Sequence, residues 1–195
     1  MLNQISSKRI LTYCKNQQYS ISDFNIIYLE GVDINGVTNS DDANQFNDVR
    51  AIFNREQCLD CWQATTEPGN WYTDRPLNPK GAFRIAFGYH SNAWEIGVHG
   101  YNDPHEALIQ VAPIEGYRDF NRDGLRTGDY LDKGLFGINQ HWGYDMPPNN
   151  ISTASAGCLV GRSRFGHRQF MEYCKNSGRT IFSTIVLPGD KIFIK

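Results

Sequence analysis

The feature that most constrains this chain is a succession of short apolar runs, rich in β-branched and aromatic residues and separated by Gly, Pro and Asn turns. Runs of this length are typical of strands, whereas helices need longer stretches with a period near 3.6 residues. The runs lie at 25–30, 46–53, 61–66, 81–89, 93–99, 108–113 and 134–141. A supply of 11 Phe, 10 Tyr and 18 Gly suits strands joined by many turns. We therefore expect a mainly β fold.

Helical signals are few. One clear helix is predicted at 166–176, with apolar Phe170 and Met171 and a glycine stop at Gly178. A second short helix fits within 1–20, and the tail at 180–195 is typical of a closing hairpin. The expected fold is thus mainly β with one or two short α-helices.

The length and composition indicate one domain rather than several. At 195 residues the chain can bury a substantial core. We expect a main domain at 56–195, with 1–55 as an N-terminal extension packed on it.

The net charge and the polarity of the chain exclude two classes of partner. A formal net charge of -2 and the lack of a Lys/Arg-rich block argue against a nucleic-acid partner. No stretch approaches the roughly 20 apolar residues of a membrane span. Residues 1–20 lack the apolar core of a signal peptide, so we expect a protein made in the cytoplasm, or a chain whose export signal is missing.

The chain has five cysteines, an odd number, so a disulfide framework cannot use all of them. Cys58 and Cys61 have CxxC spacing, which suits a redox pair or half a zinc site. No second CxxC pair or nearby pair of histidines completes a zinc set. We therefore interpret them as two unrelated, half-buried thiols.

Cys158 stands out within Ser155-Ala-Gly-Cys158-Leu-Val-Gly161. A thiol attacks as thiolate, so a catalytic cysteine needs a nearby histidine, a cation or a helix N-terminus to lower its pKa. Gly157 permits a tight turn, and the predicted helix begins a few residues later. Backbone N–H groups at this turn can face a developing oxyanion. The alternative is an inert buried thiol, since free cysteines are commonly buried.

The surrounding motifs resemble those of L,D-transpeptidase catalytic domains, which crosslink or trim bacterial peptidoglycan. That family has a histidine on a strand, a spacer, and then SxGC with an aliphatic residue. Here His141 ends Phe136-Gly-Ile-Asn-Gln-His141, and Cys158 follows seventeen residues later. Upstream, Ala64-Thr-Thr-Glu-Pro-Gly69 and Asn78-Pro-Lys-Gly-Ala-Phe-Arg-Ile85 resemble a second family block. The resemblance covers about 60–175 and implies a β-sandwich or open barrel.

The resemblance implies roles for individual residues. Cys158 is the expected nucleophile, His141 its general base, and Ser155 and Gly157 the residues that shape the turn and the oxyanion hole. The family commonly has an arginine two residues after the cysteine. That place is Val160 here, which makes Arg162 the nearest arginine for a substrate carboxylate.

Two neighbours of His141 and a second histidine bear on the same site. Trp142 follows His141 where the family usually has glycine, so Trp142 and Tyr144 are expected to wall the substrate groove. His99 is the rival base, because Val98-His99-Gly100 also ends a strand, but it lies much farther from the cysteine in sequence. It can instead line the cleft. We interpret His90, His105 and His167 as surface or helix residues.

Metal signals are weak, and no cofactor is expected. Asp119, Asn121 and Asp123 match the first half of a calcium loop, but Tyr130 occupies the position of its bidentate glutamate. A polar hairpin loop is the preferred interpretation, with calcium as the alternative. His99, His105 and Glu106 lack the spacing of a helical metal motif.

Several functions are compatible with these features. The leading hypothesis is a cysteine-dependent acyl transfer on peptidoglycan stem peptides, as L,D-transpeptidase, carboxypeptidase or endopeptidase. A lytic toxin or phage-type lysin would use the same chemistry on the cell wall after release or delivery. A cysteine peptidase or amidase with another substrate is a further alternative. A non-catalytic module on this fold would bind glycan or peptide and keep Cys158 unreactive.

Overall fold

The computed structural model describes residues 2–126 and 128–193 and is mainly β, with 36% of the chain in strands and 18% in helices. The strands of the described residues are β1 (Asn25–Glu30), β2 (Asp48–Phe53), β3 (Cys58–Thr65), β4 (Ala82–Ile85), β5 (Gly88–His99), β6 (His105–Gln110), β7 (Ile114–Asp119), β8 (Tyr130–Gly134), β9 (Gln140–Trp142), β10 (Leu159–Gly161) and β11 (Ile181–Pro188). The helices are α1 (Gln4–Asn16), α2 (Asn70–Asp74) and α3 (Arg164–Asn176), with a 3-10 turn at Gly189–Lys191. The mainly β expectation is confirmed, with three α-helices rather than one or two.

Eight strands close into a barrel in the order β1-β11-β5-β6-β9-β10-β3-β2. The pairs β1–β11 and β9–β10 are parallel, and the other barrel pairs are antiparallel. Strands β1 and β2 come from the first 55 residues, so this segment supplies two barrel strands. A separate three-stranded sheet, β4-β7-β8, packs beside the barrel.

Strand β1 is buried on both faces, which explains its uninterrupted apolar run. Ile26 and Tyr28 face the barrel interior, where they pack with residues of α3. Ile27 and Leu29 face outward, where α1 covers them with Ile10 and other apolar residues. The alternation of a strand thus divides the core into an inner and an outer cluster.

Helix α3 confirms the predicted helix at 166–176 and begins two residues earlier. Ser163 caps it by accepting a hydrogen bond from the Gly166 N–H at 3.0 Å. Gly178 follows its C-terminus with φ +69°, the left-handed conformation that favours glycine. Among the described residues, none of the helices is long and apolar enough to cross a membrane.

Two predicted elements differ in the structure. The run at 81–89 divides into β4 and the start of β5, because Gly88 with φ +146° breaks the strand. The tail is a single strand, β11, between β1 and β5, and a 3-10 turn follows it instead of a second hairpin strand. The last two residues of the expected hairpin lie outside the described part of the chain.

Candidate active site

A cleft of about 600 Å³ opens between one end of the barrel and the three-stranded sheet. Its walls bring together residues from β5, β9, β4, β7 and the turn before β10. The lining residues that bear on its chemistry are Cys158, His141, His99, Tyr144, Arg118 and Phe83. The structure therefore gathers both candidate bases around the candidate nucleophile.

The turn before Cys158 is held by Ser155. The Ser155 hydroxyl donates to the Cys158 carbonyl at 2.9 Å and accepts from the Gly157 N–H at 3.1 Å. Gly157 has φ +122°, and a Cβ there would lie 2.5 Å from the Phe83 carbonyl oxygen. Only glycine fits this position without strain. Ser155 and Gly157 thus shape the turn, and the Gly157 N–H already has an acceptor.

The Cys158 thiol is buried, with 8% of the residue exposed. Its Sγ accepts from the Asn139 N–H at 3.4 Å and donates to the Gly137 carbonyl at 3.6 Å. Burial raises the pKa of Cys158 to about 11, although the Asn139 N–H lowers it in part. The sequence argument expected a lowered pKa for Cys158. The pKa is raised instead, so the resting thiol is neutral at pH 7.

His141 lies on β9, directly beside β10. Its register partner in this parallel pair is Val160, two residues beyond Cys158. Cys158 directly precedes β10, so it lies near the start of β9, and both side chains line the cleft. The loop between β9 and β10 accounts for their spacing in sequence.

The proton on His141 can be placed from its hydrogen bond. Nδ1 lies 2.7 Å from the Trp142 carbonyl oxygen, which can only accept, so Nδ1 carries the hydrogen. The lone pair is then on Nε2. Burial, followed by the neighbouring His99, holds the pKa of His141 well below its usual range. The ring is a neutral imidazole whose unprotonated nitrogen is Nε2.

His99 stacks on His141, with ring centroids 3.9 Å apart and planes 11° from parallel. The Gln110 N–H donates to Asn139 Oδ1 at 2.9 Å, which fixes the orientation of that amide. Asn139 Nδ2 therefore donates to His99 Nδ1 at 3.0 Å and occupies its lone pair. Burial and His105 lower the pKa of His99 to about 4. This arrangement favours His141 as the base.

The other histidines are buried: His90 and His105 lie on strands β5 and β6, which contradicts their interpretation as surface or helix residues, whereas His167 lies in helix α3. His90, His105 and His167 expose 9%, 7% and 1% of their surface. His167 Nδ1 accepts from Arg50 at 3.1 Å, and the His105 ring stacks on Trp142 at 3.8 Å. Trp142 thus packs behind the cleft, while Tyr144 lines it.

Arg162, expected from sequence to meet a substrate carboxylate, does not line the cleft, whereas Arg118 does. Arg162 Nε donates to Gln63 Oε1 at 2.6 Å and Nη1 to the Met146 carbonyl at 3.1 Å, which ties β3 to the loop after β9. Arg118 Nε donates to Asp132 Oδ2 at 3.0 Å, and the Arg118 guanidinium lies over the Phe136 ring.

Two further residues escaped the sequence analysis. Asn139 contacts both Cys158 and His99, and its only signal was its place two residues before His141. Phe83 lines the cleft and packs on Phe136 with centroids 5.0 Å apart. Its signal was the upstream block that contains Gly81.

The two other groups of residues singled out in the sequence lie away from this chemistry. In the Asp119 loop, Asp119 accepts from the N–H groups of Asp123 and Gly124 at 3.1 and 3.0 Å, as in a polar hairpin loop. Cys58 and Cys61 are free thiols on β3. The pKa of Cys61 is lowered to about 7 by a hydrogen bond from the Cys58 thiol.

In comparisons with known proteins, no family model matches this chain, and neither the curated proteins nor the solved structures yield a similar protein.

Proposed function

We propose that this protein is a cysteine-dependent acyl-transfer enzyme of L,D-transpeptidase type that acts on peptidoglycan stem peptides. The observation that carries the proposal is the meeting of Cys158 and His141 in one cleft, with His141 on β9 and Cys158 in the turn that leads into the adjacent strand β10. These two residues also carry the motif resemblance. The proposal includes an L,D-transpeptidase-like fold for the barrel.

The first step forms a thioester. His141 Nε2 removes the proton from the Cys158 thiol while Sγ attacks the carbonyl carbon of the substrate amide. The tetrahedral intermediate collapses, the C–N bond breaks, and the leaving amine takes the proton from His141. Because thiol and imidazole are both neutral at rest, charge develops only during the attack.

The second step releases the acyl group. An amine or a water molecule attacks the thioester, loses a proton to His141, and restores the Cys158 thiol as the C–S bond breaks. An amine gives transpeptidation, and water gives carboxypeptidase or endopeptidase action. A lysin or toxin would follow the water branch.

Backbone groups stabilise the charges that develop. The Asn139 N–H already donates to Sγ and strengthens that bond when the sulfur becomes a thiolate. No hydrogen bond of the described residues uses the Cys158 N–H, so it is available to the oxyanion. Arg118 provides the cleft with a cation for a substrate carboxylate.

The test compares products from purified muropeptides by liquid chromatography and mass spectrometry. Wild type is expected to release or exchange the terminal residue of the stem peptide, and Cys158→Ala to do neither. Cys61→Ser is the matched control, because it removes another free thiol away from the cleft. Equal products from wild type and Cys158→Ala would overturn the proposal.

A second candidate function has one observation in its favour. Burial of Cys158 and its raised pKa suit a non-catalytic module that binds glycan or peptide in the same cleft. Such a module would bind muropeptides equally well with Cys158→Ala and leave them unchanged. If wild type binds muropeptides without turnover, the result would favour this non-catalytic function.

A further inference from the structure

A second cluster of ionisable groups, the carboxylate cluster, lies outside the cleft at the same end of the barrel as the start of β10, and consists of Glu30, Asp41, Asp48 and Glu67. Glu30 ends β1, Asp48 begins β2, and Glu67 follows β3. Because these strands are antiparallel neighbours, their ends meet at one edge of the barrel. Glu30, Asp48 and Glu67 are 5%, 1% and 4% exposed, and Asp41 is at the surface.

Two arginines neutralise only half of this charge. Arg126 forms a two-point ion pair with Glu30, and Arg84 pairs with Glu67 Oε1. Four carboxylates against two guanidinium groups leave two negative charges in excess when all are ionised. Buried charge without a partner is strongly unfavourable, so the excess is met either by protons on the acids or by a bound cation.

The hydrogen bonds around Thr66 satisfy the inner oxygens of this cluster. The Thr66 hydroxyl oxygen lies 2.6 Å from Glu30 Oε2 and 2.9 Å from Asp48 Oδ2. Glu30 Oε2 also accepts from Arg126 Nη2, and Asp48 Oδ2 also accepts from the Thr66 N–H, each at 2.6 Å. The unmet hydrogen-bonding capacity of the cluster is therefore on Glu67.

An independent sign of a ligand is the second oxygen of Glu67. Glu67 Oε2 is sealed from solvent and has no hydrogen-bond partner among the described residues. Glu67, Glu30 and Asp41 each present a carboxylate oxygen within 4.8 Å of the other two. Buried polar atoms in native proteins are normally satisfied, so this oxygen indicates a missing partner.

A surface cavity reaches Glu30 and Asp41, the outer members of the cluster. This cavity of about 350 Å³ is lined by Glu30, Asp41, Asp190 and neighbouring residues. Asp190 adds negative charge at its mouth and pairs with Lys191 at 3.2 Å. A small cation can therefore reach the cluster from solvent.

We propose that Glu30, Asp41 and Glu67 bind one divalent cation, calcium, and that Asp48 lies beside it as a charge partner. The donors are all carboxylate oxygens, which suit hard cations rather than zinc or copper. Calcium–oxygen bonds of about 2.3–2.6 Å place opposite ligands about 4.6–5.2 Å apart, a span that fits the cluster. Magnesium needs a tighter and more regular octahedron.

The site would join the end of β1, the loop that carries Asp41, and the segment after β3. Glu67 also positions Arg84, which neighbours the cleft residue Phe83 in β4. The proposal does not rest on the catalytic function, because its ligands lie outside the cleft.

The test is calorimetric titration of calcium chloride into the full chain after chelator treatment, with thermal unfolding measured in parallel. Wild type is expected to bind one calcium per chain and to unfold at a higher temperature with calcium. Asp41→Asn is expected to weaken binding at least about tenfold while folding normally, since Asp41 has φ +55° and Asn tolerates that conformation. Glu67→Gln is expected to weaken it similarly.

Asp123→Asn is the matched control, because it removes a carboxylate from the Asp119 loop, the other calcium candidate. It is expected to bind calcium as wild type does. Loss of binding in Asp123→Asn with retention in Asp41→Asn would overturn the proposal. So would wild type that shows no binding at millimolar calcium, or that binds magnesium more tightly than calcium.

Discussion

The active-site cleft and the carboxylate cluster both bury ionisable groups, but they handle the cost of burial in opposite ways. In the cleft, burial raises the pKa of Cys158 and lowers the pKa values of His99 and His141, so the thiol and both imidazoles are neutral. In the carboxylate cluster, two buried arginines fix charges in place, and the acids outnumber them. A neutral thiol and imidazole are compatible with a buried site and separate charge only during reaction. A cluster with more acids than arginines takes up protons or a cation instead.

The largest expected effect concerns the two stacked histidines of the cleft. His141→Gln removes the free Nε2 lone pair and is expected to lower kcat by about 10²–10⁴-fold, the usual contribution of a general base. His99→Gln is expected to lower it about tenfold, because His99 Nδ1 is already bonded to Asn139. Steady-state kinetics on muropeptides measure both, and a larger loss in His99→Gln would reassign the base.

The neutrality of the cleft predicts how its thiol responds to pH. With a pKa of about 11, the thiolate fraction of Cys158 rises about tenfold per pH unit from pH 6 to 10. Cys61, with a pKa of about 7, is expected to reach its limiting rate near pH 8. Peptide mapping after iodoacetamide labelling follows both thiols in one sample. Rapid labelling of Cys158 at pH 6 would indicate a thiolate–imidazolium pair instead.

The turn that presents Cys158 is expected to tolerate no side chain at Gly157. Gly157→Ala places a Cβ against the Phe83 carbonyl at a positive φ, and should lower the free energy of unfolding by about 2–4 kcal/mol. Gly178→Ala is the matched control, since it has a positive φ and open space, and should cost about 1 kcal/mol. Urea denaturation measures both. Equal losses would show that the turn is not tightly packed.

The smallest expected effect is the pH dependence of stability, where the two regions have opposite signs. The folded-state pKa of His99 is lowered to about 4, so the unfolded chain binds more protons between pH 6.5 and 4, and stability falls as the pH falls through that window. The pKa of Asp41 is raised to about 6 by burial and Glu30, so its contribution falls as the pH rises from 4 to 6. His99→Gln should therefore reduce the fall in melting temperature between pH 6.5 and 4. A melting temperature that falls as steeply as in wild type would contradict this.

Strand and helix positions were largely predictable from local sequence, because short apolar runs and glycine stops report local geometry. The run at 25–30 became β1, and the helix at 166–176 became α3. Barrel closure was not predictable, since the pairing of β1 with β11 joins residues 158 positions apart. The prediction of a hairpin in the tail was wrong for the same reason, since β11 pairs with β1 and β5, which are distant in sequence.

The site was predictable only in part. The motif identified Cys158 and His141, and both line one cleft. Asn139 and Arg118 were missed because their roles depend on neighbours from other strands, and the raised pKa of Cys158 depends on burial. The carboxylate cluster has no motif at all, because three strand ends and a loop supply its members.

The central claim is that Cys158 carries the acyl group, and the most direct measurement is of that bond. Wild type is mixed with muropeptide, quenched in acid, digested and mapped by mass spectrometry. The account predicts a stem-peptide acyl adduct on the peptide that contains Cys158, which hydroxylamine removes and which accumulates less in His141→Gln. An adduct on another residue, or turnover without any adduct on Cys158 in single-turnover quenching, would contradict it.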